Sequence, residues 1–163
     1  MNKTSTICVD LDGTIANADH RLPYILDLAP GQKKNWVEFF GRVKEDPPYK
    51  ELIQDIITGV NLLDLDLVFL TGRPERFKDI NVRQDTISWL TDQGIIPSMY
   101  TLLMRPDKDT RPDYIVKPEV LLKSGISLES IVGVFEDRPK VIEAMRNLGL
   151  MVYECKDGKI VEG

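Results

Sequence analysis

Residues 7–16 read ICVDLDGTIA. An apolar run ends in two aspartates separated by one leucine, and a glycine and a threonine follow. In extended backbone Asp10 and Asp12 leave on the same side while Leu11 faces away. An aspartate after a strand is ordinarily a turn former or a helix cap. The pair therefore gains meaning only from what else the chain brings to the same edge.

Working outward from this stretch, residues 6–10 form the first strand candidate, and residues 67–70, 99–104, 131–135 and 150–154 supply further ones. The run at 67–70 is closed by TGRP and the run at 131–135 by EDRP. Between them lie helical patterns. Leu52, Ile53, Ile56, Ile57 and Val60 recur at spacings of three and four within residues 51–63, and Ile80, Ile87 and Leu90 line a second helix that Gly94 ends. Residues 114–123 are helical in part, with Pro118 near the first turn. Val141, Ile142, Met145 and Leu148 make a helix stopped by Gly149, and KDGK at 156–159 turns the tail into a short hairpin.

Alternating strands and helices, with continuously apolar strands, predict an α/β fold whose mostly parallel sheet is covered on both faces. The chain reads as one domain over residues 1–163. Prolines punctuate residues 17–49, which read as a small cap insertion after the first strand, with helical pieces around 22–28 and 34–43. His20, Arg21, Trp36, Phe39 and Phe40 fall in that insertion. Its aromatics either pack it onto the core or offer a surface on which bases stack. Trp89, on a helix, reads as core.

Ligands bind beyond the carboxyl ends of parallel strands. The residues delivered there are Asp10 and Asp12; Thr71, Gly72 and Arg73; and Glu136, Asp137 and Arg138, with Lys117 at the start of a helix between the third and fourth strands. Several carboxylates in one cleft repel each other and need a divalent cation, and oxygen-only ligands suit Mg²⁺. A cation so held receives a phosphate. Thr71 offers it a hydroxyl, and Lys117 a point charge. One aspartate can attack phosphorus, and the second can give a proton to the leaving alkoxide and take one from water.

Bulk properties limit the partners. The chain of 163 residues, 42% hydrophobic and 29% charged, is long enough for one domain with a core, and this composition argues against disorder. Its net charge of −5 argues against a long nucleic-acid groove, so any such contact is expected at an end or a single phosphate. No apolar run reaches the roughly 18 residues of a membrane span, and no signal peptide opens the chain, so no membrane partner and a cytoplasmic setting are expected. Cys8 and Cys155 read as reduced, buried, strand-borne thiols. Oligomeric state has no signature in the sequence.

The order DLDGT, TGR, a lysine, then ED after an apolar strand resembles the motif set of haloacid dehalogenase-like (HAD) phosphatases. The resemblance covers about residues 6–153. It implies a HAD-like Rossmannoid three-layer sandwich and a phosphomonoester substrate. It also implies Asp10 as nucleophile, Asp12 as general acid/base, and Thr71 and Lys117 on the transferring phosphoryl group. By the same resemblance Mg²⁺ lies on Asp10, the backbone carbonyl of Asp12, and Asp137. Many relatives carry Asp-Asp or Gly-Asp at the fourth motif, where this chain has Glu136-Asp137, so Asp137 takes the direct ligand role and the longer Glu136 a secondary one. Residues 105–117, RPDKDTRPDYIVK, and 136–149, EDRPKVIEAMRNLG, are further similar to the 3′-phosphatase domain of phage-type polynucleotide kinase/phosphatases. That similarity implies a nucleotide or nucleic-acid 3′ end as substrate, as in DNA/RNA repair. It places Gly72, Arg73 and Arg138 at the substrate and Arg105 and Arg111 in secondary positions. No G-x-x-x-x-G-K-S/T kinase loop occurs in the sequence.

Other readings remain open. A small-molecule phosphatase, for instance on a nucleoside monophosphate, needs the same residues. A receiver domain also uses an aspartate, a hydroxyl, a lysine and a metal, but its phosphorylated aspartate ends a later strand, where this chain has TGRP. A non-catalytic module on the same fold would be favoured by loss of Asp10, Asp12 or Lys117, and all three are present.

Overall fold

Strands that are apolar on both faces must be buried on both faces, and the chain does this with a sheet between two helical layers. In the computed structural model, which describes residues 4–162, the strands are β1 (Thr6–Val9), β2 (Asp66–Pro74), β3 (Tyr100–Arg105), β4 (Ile131–Glu136), β5 (Val152–Lys156) and β6 (Lys159–Glu162). The helices are α1 (Trp36–Gly41), α2 (Lys50–Leu63), α3 (Val82–Asp92), α4 (Asp113–Lys123) and α5 (Pro139–Asn147). The sheet order is β3-β2-β1-β4-β5-β6, parallel throughout except for β6, which returns antiparallel on β5. Asp157 and Gly158, both at positive φ, make that hairpin turn.

Side-chain alternation divides the core. Ile7, Val9, Leu67 and Phe69 pack with Leu52, Ile56, Val60 of α2 and Trp89, Leu90 of α3. Cys8, Val68, Leu70 and Val134 face the opposite layer, against Leu121 of α4 and Val141, Ile142, Met145 of α5. The sheet order reverses direction around β1, so the carboxyl ends of β1, β2 and β4 lie side by side, a switch point where such folds bind ligands. Both cysteines are free and buried, on β1 and β5.

Several boundaries differ from the sequence expectation. TGRP does not close β2 but belongs to it: the strand runs through Pro74, which pairs with Arg105 after a register shift. Ile80 precedes α3 and forms an isolated bridge with Phe77, because Asn81 caps the helix by accepting from the Gln84 amide. Pro118 sits mid-helix in α4, since that helix starts at Asp113; the amide it lacks would have met the carbonyl of exposed Tyr114. The last parallel strand is Val152–Lys156, because Gly149 at positive φ and Leu150 are used to leave α5. Residues 22–28 are not an α-helix; a 3-10 turn, Asp19–Tyr24, contains Pro23. In residues 34–43 only α1 is α-helical, and a 3-10 turn at Val43–Glu45 follows.

Residues 17–49 leave and rejoin the sheet through paired stems. Asn17 donates its amide to the Pro47 carbonyl, Tyr49 donates to Ile15, and Ala16 bridges Pro48. No described helix is long and apolar enough to cross a membrane.

Candidate active site

The turn after β1 sets the geometry. The amides of Thr14, Ile15 and Ala16 all converge on the Leu11 carbonyl. Gly13 sits at φ +85, and a β-carbon there would collide with the Asp137 carboxylate, so the motif glycine serves both the turn and the close approach of the β4 loop. Asp10 is 5% exposed. Its Oδ1 accepts from Lys117 Nζ at 2.6 Å and its Oδ2 from the Thr14 hydroxyl at 2.9 Å. Lys117, buried on α4, also donates to Glu136 Oε2 at 2.8 Å.

Carboxylates crowd this side. Oxygens of Asp10, Glu136 and Asp137 lie within 4.8 Å of one another. Burial and the Asp10 charge push the Glu136 and Asp137 carboxyls well above the usual range. Burial works against the Lys117 ammonium, but Asp10 and Glu136 outweigh it and raise its proton affinity. Glu136 is already engaged: besides Lys117, its Oε1 accepts the amides of Asp137 and Arg138. Asp137 Oδ1 is buried without a hydrogen-bond partner among the described residues. A buried, unpartnered carboxylate oxygen beside two further carboxylates is what a hard divalent cation would satisfy.

Asp12 meets opposite surroundings. Arg73 reaches its carboxylate through Nε and Nη2, and Arg21 Nη2 donates to Oδ1 at 2.9 Å. The two guanidiniums share a second anion, the fully buried Asp46, which Arg21 holds at 2.7 and 2.8 Å and Arg73 at 3.2 Å. Arg73 Nη1 also donates to Thr86 on α3, Arg21 Nη1 to the Phe39 carbonyl, and His20 contacts Asp46 at 2.6 Å. The Asp46 carbonyl takes the indole N–H of buried Trp89 at 2.8 Å. Burial raises the proton affinity of Asp12, but Arg73 and Arg21 overcome it and hold the carboxyl well below the usual range.

The remaining expected residues lie near these. Thr71 is buried within β2, three residues before its end, and its Oγ1 accepts the Arg73 amide at 3.2 Å. A β-carbon on Gly72 would strike the Asp113 carboxylate, so its lack of a side chain lets α4 approach. Arg105 donates to the carbonyls of Gly72, Asp109 and Arg111 and to Asp113, which ties the 106–112 loop to the sheet. Arg138, exposed, pairs with Asp113 at 2.7 Å. Arg111 is outermost, paired with Asp109 and Glu119. Arg73 and Arg105 are thus occupied within the protein, whereas Arg138 keeps an exposed face. Motif spacing does not single out Thr14, Asp46, Thr86 or Asp113, and it places Arg21 only in the insertion. A cavity of about 860 Å³ opens over Asp10, Asp12, Thr71 and Lys117.

Comparison with known proteins places the chain in a family. A family model of the polynucleotide kinase PNKP phosphatase domain matches residues 4–160. The chain belongs to that family. It is a HAD phosphatase-family protein, and its fold is shared with HAD-like hydrolases. A protein of Autographa californica nuclear polyhedrosis virus described as "Putative bifunctional polynucleotide kinase/RNA ligase" is 29% identical over 153 residues, 93% of this chain but 19% of the viral protein. A chain in the Pnkp1/Rnl/Hen1 RNA repair complex superposes with TM-score 0.73 at 22% identity, over 96% of this chain and 43% of that one. A haloacid dehalogenase-like family hydrolase from Streptococcus pneumoniae gives 0.59 at 14% identity, over 94% and 85%. The chain therefore spans less than half the length of the two polynucleotide-processing relatives.

Proposed function

We infer that this phosphatase domain is a Mg²⁺-dependent phosphomonoesterase that works through an aspartyl-phosphate on Asp10 and removes 3′-phosphate from nucleic-acid ends or nucleotides. The observation that carries the reading is the opposed environment of the Asp10-Leu11-Asp12 step: a nucleophile held by Lys117 and Thr14 beside the Glu136–Asp137 carboxylates, and a second aspartate held by arginines. Asp10 and Asp137 would hold the cation directly, with Glu136 beside them and the Asp12 carbonyl as a further oxygen ligand. When bound, the cation neutralises carboxylate and phosphate charge together.

An Asp10 oxygen attacks phosphorus, and the bond from phosphorus to the ester oxygen breaks. Asp12 gives the leaving alkoxide a proton. A water then attacks the phosphoryl group, Asp12 recovers a proton from it, and the bond to Asp10 breaks to release inorganic phosphate. The guanidiniums of Arg21 and Arg73 favour the carboxylate form of Asp12, which suits the second half-reaction. An incoming phosphate dianion offsets those two charges and so raises Asp12 toward its acid form. Lys117 and the Thr71 hydroxyl hold the transferring group, and Arg138 faces it from the rim.

The test is a substrate panel with Mg²⁺ present and then chelated: a 3′-phosphorylated oligonucleotide, its 5′-phosphorylated isomer, free nucleotides and sugar phosphates. Metal-dependent hydrolysis with the highest kcat/KM on 3′ ends is expected. Preference for free mononucleotides moves the substrate to the small-molecule class, and turnover unaffected by chelation overturns the metal role.

A further inference from the structure

The cavity is larger than a phosphate needs, and one wall of it has no part in the chemistry above. Trp36, Phe40 and Phe77 line it together. Phe40 stacks on Trp36 with ring centroids 5.6 Å apart and planes 18° apart, and it tilts against Phe77 at 5.2 Å. Phe39 is the ring that packs the insertion inward, 7% exposed with the Arg21 guanidinium over it. Trp36 belongs to the same short helix and meets Phe39 edge-on at 5.6 Å, yet it is 37% exposed and lines the cavity.

The charge around this wall is opposite to that of the chain. Eight Lys and Arg but only four Asp line the cavity, in a protein with 21 Lys and Arg against 26 Asp and Glu. Some of those cations are committed to buried carboxylates. Arg76 and Lys108 are not: both are exposed beside the aromatic wall, with no ion pair among the described residues. Aromatic faces next to unpaired cations, continuous with a phosphomonoester site, match a nucleobase with an adjoining backbone phosphate. A sugar phosphate would leave the rings in water.

We propose that the Trp36–Phe40–Phe77 wall is a nucleobase subsite. It receives the base of the phosphorylated terminal nucleotide, and Arg76 and Lys108 hold the next backbone phosphate. This deepens the nucleic-acid-end reading and rests on it. Base stacking on an aromatic side chain changes affinity by about 5- to 150-fold.

Trp36 and Trp89 are the only tryptophans, and Trp89 is 1% exposed and out of a ligand's reach, so a ligand-induced change in emission reports on Trp36. The experiment titrates the Asp10→Asn protein, which keeps its ligand intact, with a 3′-phosphorylated dinucleotide and with the same molecule lacking its terminal base. Saturable quenching is expected with the first and weaker binding by about tenfold or more with the second. Trp36→Leu should remove the quenching, and Phe77→Leu should weaken binding of the base-bearing ligand while leaving the abasic one within about twofold. Equal affinity for the two ligands, or equal losses for both in Phe77→Leu, overturns the subsite. Hydrolysis by the native protein is measured separately. Base-dependent binding without turnover would overturn the phosphatase reading and leave the subsite standing; turnover without base dependence would do the reverse.

Discussion

Asp10 and Asp12 stand two residues apart, yet the fold surrounds them with opposite charge. On the β4 side, Asp10 shares its space with Glu136 and Asp137, and Lys117 is the cation bonded to it. On the β2 side, Asp12 shares its space with Arg21 and Arg73, and a second buried anion, Asp46, stabilises both arginines. Two identical side chains thereby meet opposite partners, and the arginines hold the Asp12 carboxyl well below the usual range. The acid-rich side leaves a buried Asp137 oxygen without a partner among the described residues, whereas on the arginine-rich side Asp12 and Asp46 are both paired.

The largest effect should come from erasing the proposed nucleophile. Asp10→Asn keeps the shape and the Thr14 contact but removes the attacking charge, so kcat should fall by at least about 1000-fold with the fold retained. Near-native turnover would remove Asp10 from the mechanism and dissolve the contrast. Asp12→Asn should lose most on a sugar-alcohol leaving group, which needs a proton, and less on an activated aryl phosphate. Parallel losses on both would argue against proton transfer by Asp12.

Next comes the cation that spans the acid-rich side. Lys117→Met leaves Asp10 and Glu136 buried without their common partner. Breaking such a pair costs about 3–5 kcal/mol, so the metal-free variant should unfold at clearly lower urea concentration. Part of that loss should return with Mg²⁺. Unchanged stability would mean that the carboxylates simply take up protons and need no partner.

These two tests touch residues that are legible in the amino-acid pattern alone, and the reason is physical. Asp10 and Asp137 directly follow strands whose apolar patterns locate them, Thr71 continues the apolar run of β2, and Lys117, expected at a helix start, stands in the second turn of α4, which begins earlier at Asp113; parallel topology sends these points to one edge. The arginine-rich side has no such signal. Arg21 and Asp46 are 25 positions apart in a proline-broken segment, and nothing in their spacing says that they meet. Pro23 and Pro47 mark the insertion but leave its path open, so the pattern at 22–28 suggests a helix where a 3-10 turn lies. Arg105 is visible as a charge near the motif lysine, but its bonds to the Gly72 carbonyl of β2 and to two loop carbonyls are a tertiary fact. TGRP looks like a turn by composition, and only the pairing of Pro74 with Arg105 makes it strand.

Asp46→Asn is the sharpest probe of the arginine-rich side, because Asp46 carries no chemistry of its own. The substitution removes the anion shared by Arg21 and Arg73 and leaves Asp12 as the carboxylate they share. Stability should fall by about 3 kcal/mol. Of the kinetic constants, kcat should fall by about tenfold with little change in KM, since the phosphate-holding groups are untouched. A matching rise in KM would show that the arginines bind substrate rather than position Asp12.

The smallest effect is on pH dependence, and it compares the two sides without any substitution. Glu136 and Asp137 have proton affinities raised above those of an unfolded chain, by burial and by Asp10. Between the ordinary carboxyl range and those raised values, the folded metal-free protein binds more protons than the unfolded one, so its stability falls as pH rises. Asp12 is shifted the other way by its arginines, and its contribution is lost only when pH falls into and below the ordinary carboxyl range. A cation on the acid-rich side replaces the protons there and leaves Asp12 alone. Mg²⁺ should therefore raise the melting temperature by a few degrees at about pH 8 and by less at about pH 5, where protons already occupy the site. Glu136→Gln should shrink that difference, because one of the titrating carboxyls is gone, while Asp46→Asn should leave it in place. An Mg²⁺ shift that is equal at both pH values would show that the cation does not compete with protons at Glu136 and Asp137, and would move the metal to another set of oxygens.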